Sequence, residues 1–283
     1  MKIYLSDQEY GKSSVRLSHV DRSNSQHELT QLTAQILLKG DFDNAYVDGD
    51  NAHVVPTDTM KNTVYALAKN EGIKNIESFA CRLAQRFVNK FAHVHQAKVQ
   101  IEQQLWSRFD IDGEAHGHAF VGGGSEQNTC VATTTKEETK LSSGLTGLQV
   151  LKTTESGFSG FLRDEYTSLQ DTDDRIFATT ITAEWPCPDL EHDWEATRRT
   201  VRNLLLDVFA HNYSPSVQKT LHEMADSVLS ACNEIEEISL SMPNQHHLLA
   251  NLQPINLDND NEVFVPTTEP FGIISATIKR TQT

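Results

Sequence analysis

The sequence predicts an α+β fold: half-apolar antiparallel strands covered on one face by pairs of helices, with the whole plan repeated once. Two observations predict it. The strand segments alternate, as in Leu32, Ala34, Ile36 and Leu38, rather than running continuously apolar, which suits an antiparallel sheet with one covered face. The order strands, two helices, strands also occurs twice, with no linker rich in Pro, Gly or Ser between the halves. A chain of 283 residues fits one large domain or two tightly packed halves, and the repeats are expected over 1–140 and 141–283.

In the first half, Val15-Arg16-Leu17 and the 32–38 alternation read as two strands. A helix follows from Thr57 or Asp58, either of which can cap it, with Met60, Val64 and Leu67 on one stripe. A second helix carries Ile76, Phe79, Ala80, Leu83, Phe87 and Phe91 at helical spacing. Ala97, Val99, Ile101 and Leu105 return to period two, with Gln103 on their face. Further strands are expected from His116 to Val121 and from Thr129 to Thr135. The glycine run Val121-Gly122-Gly123-Gly124-Ser125 reads as a loop, because it lacks the following helix and Lys of a phosphate cradle.

The second half repeats the order. Ile176 through Trp185 is β-like; Trp194, Val201, Leu204, Leu205 and Val208 mark a long helix. After the break Asn212-Tyr213-Ser214-Pro215, Val217, Leu221, Met224 and Val228 mark another. Ile238, Leu240 and Met242 alternate again, as do Ile274, Ala276 and Ile278. The opposite face of the first sheet carries Thr33, Gln35, Lys98, Gln100 and Glu102. A face of that kind either meets water or lines a barrel, and oligomerisation is the natural way to close one.

Charge narrows the partners. With 24 basic and 39 acidic residues the net charge is -15, a surface that repels nucleic acid and anionic lipid, so neither is expected as a partner. No apolar stretch is long enough to cross a bilayer, and the first residues turn polar at once, without a signal-peptide core. Cys81, Cys130, Cys187 and Cys232 are far apart with no Cys-x-x-Cys pair, so reduced thiols in the cytoplasm are expected.

Several short polar segments carry chemistry, each with an ordinary structural reading beside it. Thr57-Asp58 caps a helix, yet free N–H groups at a helix start also bind anions and a Thr hydroxyl can relay a proton. Lys12, after Tyr10-Gly11, is a solvated surface charge or, if partly desolvated among other donors, a base. Arg175 either pairs with Asp173 or Asp174, or presents a guanidinium fork to a planar anion. Phe158, among small residues, is core or a stacking face. Gln218, after Val217, is an exposed helix residue or an amide that reads a heterocycle edge. Asn244-Gln245-His246 supplies an amide and an imidazole. His93-x-His95, His116-x-His118 and His246-His247 invite a metal reading, but no Cys or carboxylate at ligand spacing completes a site, so no metal is expected.

Taken in order, these stretches resemble the urate oxidase (uricase) family across nearly the whole chain. The resemblance rests on Tyr10-Gly11-Lys12 with Val15-Arg16, the run from Thr57 to Thr63, and Asp110-Ile111-Asp112-Gly113 with His116-x-His118. It continues in the run from Gly160 to Thr167, in Ser216-Val217-Gln218 and in Pro243-Asn244-Gln245-His246. It implies the tunnelling fold (T-fold), in which dimers close a β-barrel and two barrels stack into a homotetramer with active sites at subunit interfaces. It implies oxidation of urate by O2 and water to 5-hydroxyisourate and hydrogen peroxide, with no metal or organic cofactor. By similarity, Arg175 and Gln218 clamp the purine, Phe158 stacks on it, Val217 contributes backbone and packing, and Leu169 lines the pocket. Thr57 and Asp58 approach from a neighbouring subunit; Lys12, Thr57 and His246 form a proton relay; Asn244, with Thr57, holds O2 and then water.

Departures from the family pattern are small: Gln245 and His247 flank the Asn/His pair with variable side chains, and the Trp185–Pro188 segment is short. The C-terminus lacks a Ser-Lys-Leu peroxisomal address, which implies a bacterial-type cytoplasmic enzyme. The alternatives are a zinc-dependent purine or pterin enzyme of the same fold and a non-catalytic purine-binding protein.

Overall fold

The computed structural model describes residues 3–281; Met1, Lys2, Gln282 and Thr283, at the two ends read above for a leader and an address signal, lie outside the described residues. The chain divides into two compact units, Met1–Gly144 with Pro186–Glu195, and Leu145–Trp185 with Ala196–Thr283. The chain crosses from the first to the second within strand β5 (Thr139–Lys152).

The first unit is an antiparallel meander of β1 (Tyr10–Asp21), β2 (Glu28–Gly40), β3 (Val94–Ile111) and β4 (Glu114–Thr134). Between β2 and β3 run the short helix α1 (Asp43–Val47), α2 (Thr57–Glu71) and α3 (Ile76–Lys90). Ala34 pairs with Ile101, Ile36 with Val99 and Leu38 with Ala97, all fully buried. Thr33–Glu102, Gln35–Gln100 and Leu37–Lys98 form the opposite face. That face bears an open cavity of about 450 Å³ lined by Arg16, Gln31, Thr33, Glu102 and Gln104 among others. Gln103 lies on the apolar face opposite Leu32 and is satisfied there by the Asn128 amide, 2.9 Å away. Helix α3 packs on β3 and β4, and α2 on β1. α3 buries Ile76, Phe79, Leu83 and Phe87, each large side chain contributing about 1.5–3 kcal/mol.

The second unit contains β6 (Phe177–Pro186), β7 (Glu237–Ser241), β8 (Asn244–Leu249), β9 (Phe264–Gly272) and β10 (Ser275–Lys279). β6 pairs with β7 and β8, β7 with β10, and β8 with β9, all antiparallel. Its helices are α4 (Trp194–His211) and α5 (Val217–Ala231), and α5 covers β7 and β10.

Three sequence expectations change. Neither Thr57 nor Asp58 caps α2. The capping position is Pro56 (φ -57°, ψ 136°), and no side chain bonds there. Thr57 is already helical, and a residue inside the first turn cannot fold its hydroxyl back as a capping residue does. The glycine run at 121–125 is not a loop but part of β4, whose pairing with β3 shifts register between Gln104 and Trp106 and where Gly124 takes φ +79°. Glycines absorb such an irregularity without leaving the sheet. Strands β5, β8 and β9 and helix α1 were not anticipated; β8 is polar throughout its first half and shows no alternation.

Candidate active site

In the first unit, Tyr10 links the start of β1 to the approach to α2. Its hydroxyl accepts the N–H of Val55 at 2.8 Å and donates to the Val55 carbonyl at 3.2 Å. This fixes the Val55-Pro56-Thr57 segment two residues from Lys12 along β1. The β1–β2 pairing then skips between Lys12 and Val15, with Ser14 at φ 57°. Two residues of β1, Ser13 and Ser14, oppose the single residue Gln35. Lys12 pairs with Ile36 and Val15 with Ala34, so both turn to the helix-covered face. Without the bulge, residues three apart would face opposite sides.

The Asp58 carboxyl is held down first by Lys61, whose ammonium sits 2.5 Å away, then by the Asn62 amide, 2.9 Å from the other oxygen, and least by the charge of the half-buried Lys12. The Asp58 carboxylate is therefore already committed within its own helix. No hydrogen bond or ion pair of the Lys12 ammonium is formed among the described residues.

The uncapped start of α2 leaves the N–H groups of Thr57, Asp58 and Thr59 without an intrahelical partner, since the first helical bond runs from Met60 N to the Pro56 carbonyl. By contrast, α3 is capped by Asn75, which accepts from Ser78 N at 2.8 Å, and α5 by Ser216, which accepts from Lys219 N at 3.2 Å. A missing cap costs about 1 kcal/mol. At α2 that cost leaves a cluster of donors and a Thr hydroxyl open to a ligand.

Gly11 fixes the placement of Lys12. A methyl group there would lie 1.8 Å from the Ile36 carbonyl oxygen, a backbone atom that cannot swing aside. Gly11→Ala is expected to cost about 1–3 kcal/mol, since the β1–β2 pair must shift to relieve the clash. Thermal unfolding checks this; an unchanged midpoint would show that the strand pair takes the methyl group without strain.

In the second unit, Phe158 and Thr172 exchange two backbone bonds, of 2.7 and 3.0 Å, which brings Phe158 close to Arg175. The guanidinium lies over the Phe158 ring, 5.5 Å from its centroid. Phe161 stacks on Phe158 at 4.9 Å with planes 10° apart, and Arg163 lies over Phe161. The ion pair offered as the structural reading of Arg175 does not form. Asp174 accepts instead from the Thr154 hydroxyl at 3.0 Å, and the Asp173 carbonyl accepts from Tyr213. Arg175 Nε is buried without a partner. Burial pushes the guanidinium below its ordinary proton affinity, and the nearby Tyr213 oxygen opposes this. A half-buried cation with an unpartnered N–H is costly to keep, and a planar anion would satisfy it.

Val217 and Gln218 are the first two residues of α5. Val217 is buried, Gln218 is exposed, and the Ser216 cap takes only the Lys219 N–H. Asn244 opens β8, pairing with Thr179 on β6 and Gly272 on β9. After a register shift His246 pairs with Thr267, whose hydroxyl donates to the His246 carbonyl at 3.3 Å. Gln245 donates to the Thr180 hydroxyl at 3.0 Å, and His247 Nδ1 is buried without a partner. Leu169 is 55% exposed.

The predicted residues thus divide between the units, Lys12, Thr57 and Asp58 in the first and Phe158, Arg175, Val217, Gln218, Asn244 and His246 in the second. The remaining histidine pairs are engaged otherwise: His93 bonds the His53 carbonyl at 2.7 Å and stacks on His53, and His116 packs edge-on against His118. No group of three or more His, Cys, Asp or Glu side chains able to hold a metal occurs among the described residues. Sequence reasoning missed Tyr213 and Gly157, whose only signal was their place in turn segments.

A family model described as uricase matches residues 8–133 and 141–275. The chain belongs to the uricase family. It is 44% identical to a uricase of Arthrobacter globiformis over 279 residues, covering 99% of this chain and 91% of that protein. It is 40% identical to a uricase of Danio rerio, covering 96% and 93%. The crystal structure of the Arthrobacter globiformis uricase superposes with a TM-score of 0.93 at 43% identity, over 100% of this chain and 97% of that one. The fold is accordingly the tunnelling fold of uricases, α+β and antiparallel.

Proposed function

We propose that the chain oxidises urate with O2 and water to 5-hydroxyisourate and hydrogen peroxide, with its own side chains and no metal or organic cofactor. The observation that carries this reading is Arg175: a half-buried guanidinium with an unpartnered Nε, lying over the Phe158 ring. A flat anion placed on Phe158 would meet that fork, and the Gln218 amide and the Val217 and Gln218 N–H groups would read its edge. Deprotonation makes the purine ring electron-rich, and O2 takes the electrons one at a time. The protein then needs to bind the anion, move protons and hold O2 and water in place.

Lys12, Thr57 and His246 carry the protons in this reading, and Asn244 with Thr57 holds O2 and then water. Asp58 contributes through its backbone N–H at the uncapped start of α2, since its carboxylate is taken by Lys61 and Asn62.

The two residue groups meet between subunits of a homotetramer, the Lys12–Thr57 group of one chain facing the Arg175 group of another. Residues 1–140 and 141–283 serve as the two T-fold repeats, and dimers close the barrel. Exposed Leu162 (95%), Leu248 and Val265 are apolar surface of the kind such assembly covers. The four cysteines are free and buried, which suits a reducing cytoplasm. No helix among the described residues is long and apolar enough to cross a membrane.

Oxygen uptake with urate, with peroxide measured in parallel, tests the reading. Equal rates before and after exhaustive chelation are expected. Loss of turnover on chelation with recovery on adding zinc would establish the metal-dependent alternative instead, and tight urate binding without oxygen uptake would establish a silent binding protein.

A further inference from the structure

The segment Tyr213–Ser216, which belongs to neither the predicted nor the proposed site residues, touches three of the stretches that carry them. Ser214 N donates to the Glu155 carbonyl at 2.9 Å and Gly157 N to the Ser214 carbonyl at 2.8 Å, a parallel bridge that holds the approach to Phe158. The Ser214 hydroxyl accepts from Thr220 at 2.6 Å and Ser216 caps α5, which fixes Val217 and Gln218. The third contact is through a side chain. The Tyr213 hydroxyl donates to the Asp173 carbonyl at 3.1 Å, two residues before Arg175.

Gly157 leaves room for this contact: a methyl group there would lie 2.4 Å from the Tyr213 oxygen and 2.9 Å from the Thr172 carbonyl. Tyr213 itself is 47% exposed, so it adds little to the core.

We propose that Tyr213 is a positioning residue for anion recognition, its hydroxyl holding the Asp173-Asp174-Arg175 turn so that the guanidinium faces the substrate side of Phe158. The argument rests on the reading of Arg175 as the anion clamp. No acidic side chain pairs with Arg175 among the described residues, so its direction is set by its backbone and by burial rather than by an ion pair. A turn held by one side-chain bond to a carbonyl gains freedom when that bond is lost, and the unpaired guanidinium at its end gains it too.

Tyr213→Phe tests this, because it removes the hydroxyl and keeps the ring. The expected result is a rise of about three- to tenfold in KM for urate, the effect of one hydrogen bond. The dissociation constant for xanthine, a flat purine probe, should rise by the same factor, with kcat changed by less than about twofold. The thermal midpoint should stay where it is. In an Arg175→Lys background, which already lacks the fork, the same substitution should have almost no further effect on KM. Unchanged KM and xanthine binding in Tyr213→Phe, or an equal effect in both backgrounds, would overturn the proposal. Arg175→Lys alone separates the two readings. If it leaves urate binding intact, the assignment of Arg175 fails and this proposal fails with it; if it weakens binding while Tyr213→Phe does not, the positioning role of Tyr213 alone fails.

Discussion

Replacing Lys12 with Met is expected to lower kcat by about 10²–10⁴-fold, the usual contribution of a positioned acid–base group. Binding of a flat purine such as xanthine should stay within about threefold of wild type. The bulge at Ser13–Ser14 turns Lys12 to the helix-covered face, where its charge reaches Asp58 at the start of α2 and it makes no hydrogen bond of its own among the described residues. Met keeps the length of the stem and removes only the amine, so what is lost is proton transfer. Because β1 is bonded to β2 alone in the first unit and Lys12 holds no ion pair, stability should change by no more than about 0.5 kcal/mol. Single-turnover measurement of urate consumption separates the chemical step from binding. A kcat within twofold of wild type would remove Lys12 from the relay.

Arg175→Ala is expected to lower kcat/KM by about 10²–10³-fold, mostly through binding, as loss of a charged partner from a desolvated site does. The same variant should be as stable as the parent or slightly more so. Arg175 is half-buried, with its Nε unpartnered and no carboxylate against it, so beyond its contact with the Phe158 ring the free protein gains little from its charge. A merely structural arginine would behave in the opposite way, its removal destabilising the fold and leaving KM alone. Calorimetry with kinetics on one preparation distinguishes them, and a large drop in thermal midpoint with normal KM would return Arg175 to a structural role.

The candidate site was legible to different depths in different places. Arg175 and Phe158 could be named from residue type and company, yet whether Arg175 paired with Asp173 or Asp174 could not, because adjacent residues in a turn can point either way. The tertiary structure decides it: Arg175 Nε is left without a partner, and the Asp174 carboxylate accepts from Thr154. Thr57-Asp58 was legible as a helix start but misread as a cap. Pro56 takes the capping position, and its lack of a side-chain oxygen is what leaves the N–H cluster open. β8 was legible as chemistry and invisible as a strand, since Asn-Gln-His-His shows no alternation, and its pairing with β6 and β9 is set by distant partners.

What the sequence determined by itself is the part governed by local periodicity and residue chemistry. That part comprises the α+β class, the two rounds of strands and paired helices, the burial of Ile36, Val99 and Ile101 on one face of the sheet, and membership of a family through an ordered set of short motifs. What only the tertiary structure decided depends on register and on long-range hydrogen bonds. The bulge that turns Lys12 toward α2, the Tyr10 link to Val55, the unpaired Arg175 over Phe158 and the Tyr213 brace behind it all join residues far apart in the chain. A one-residue change in strand pairing reverses which face a side chain occupies, and nothing in the neighbouring residues of a single strand specifies that shift.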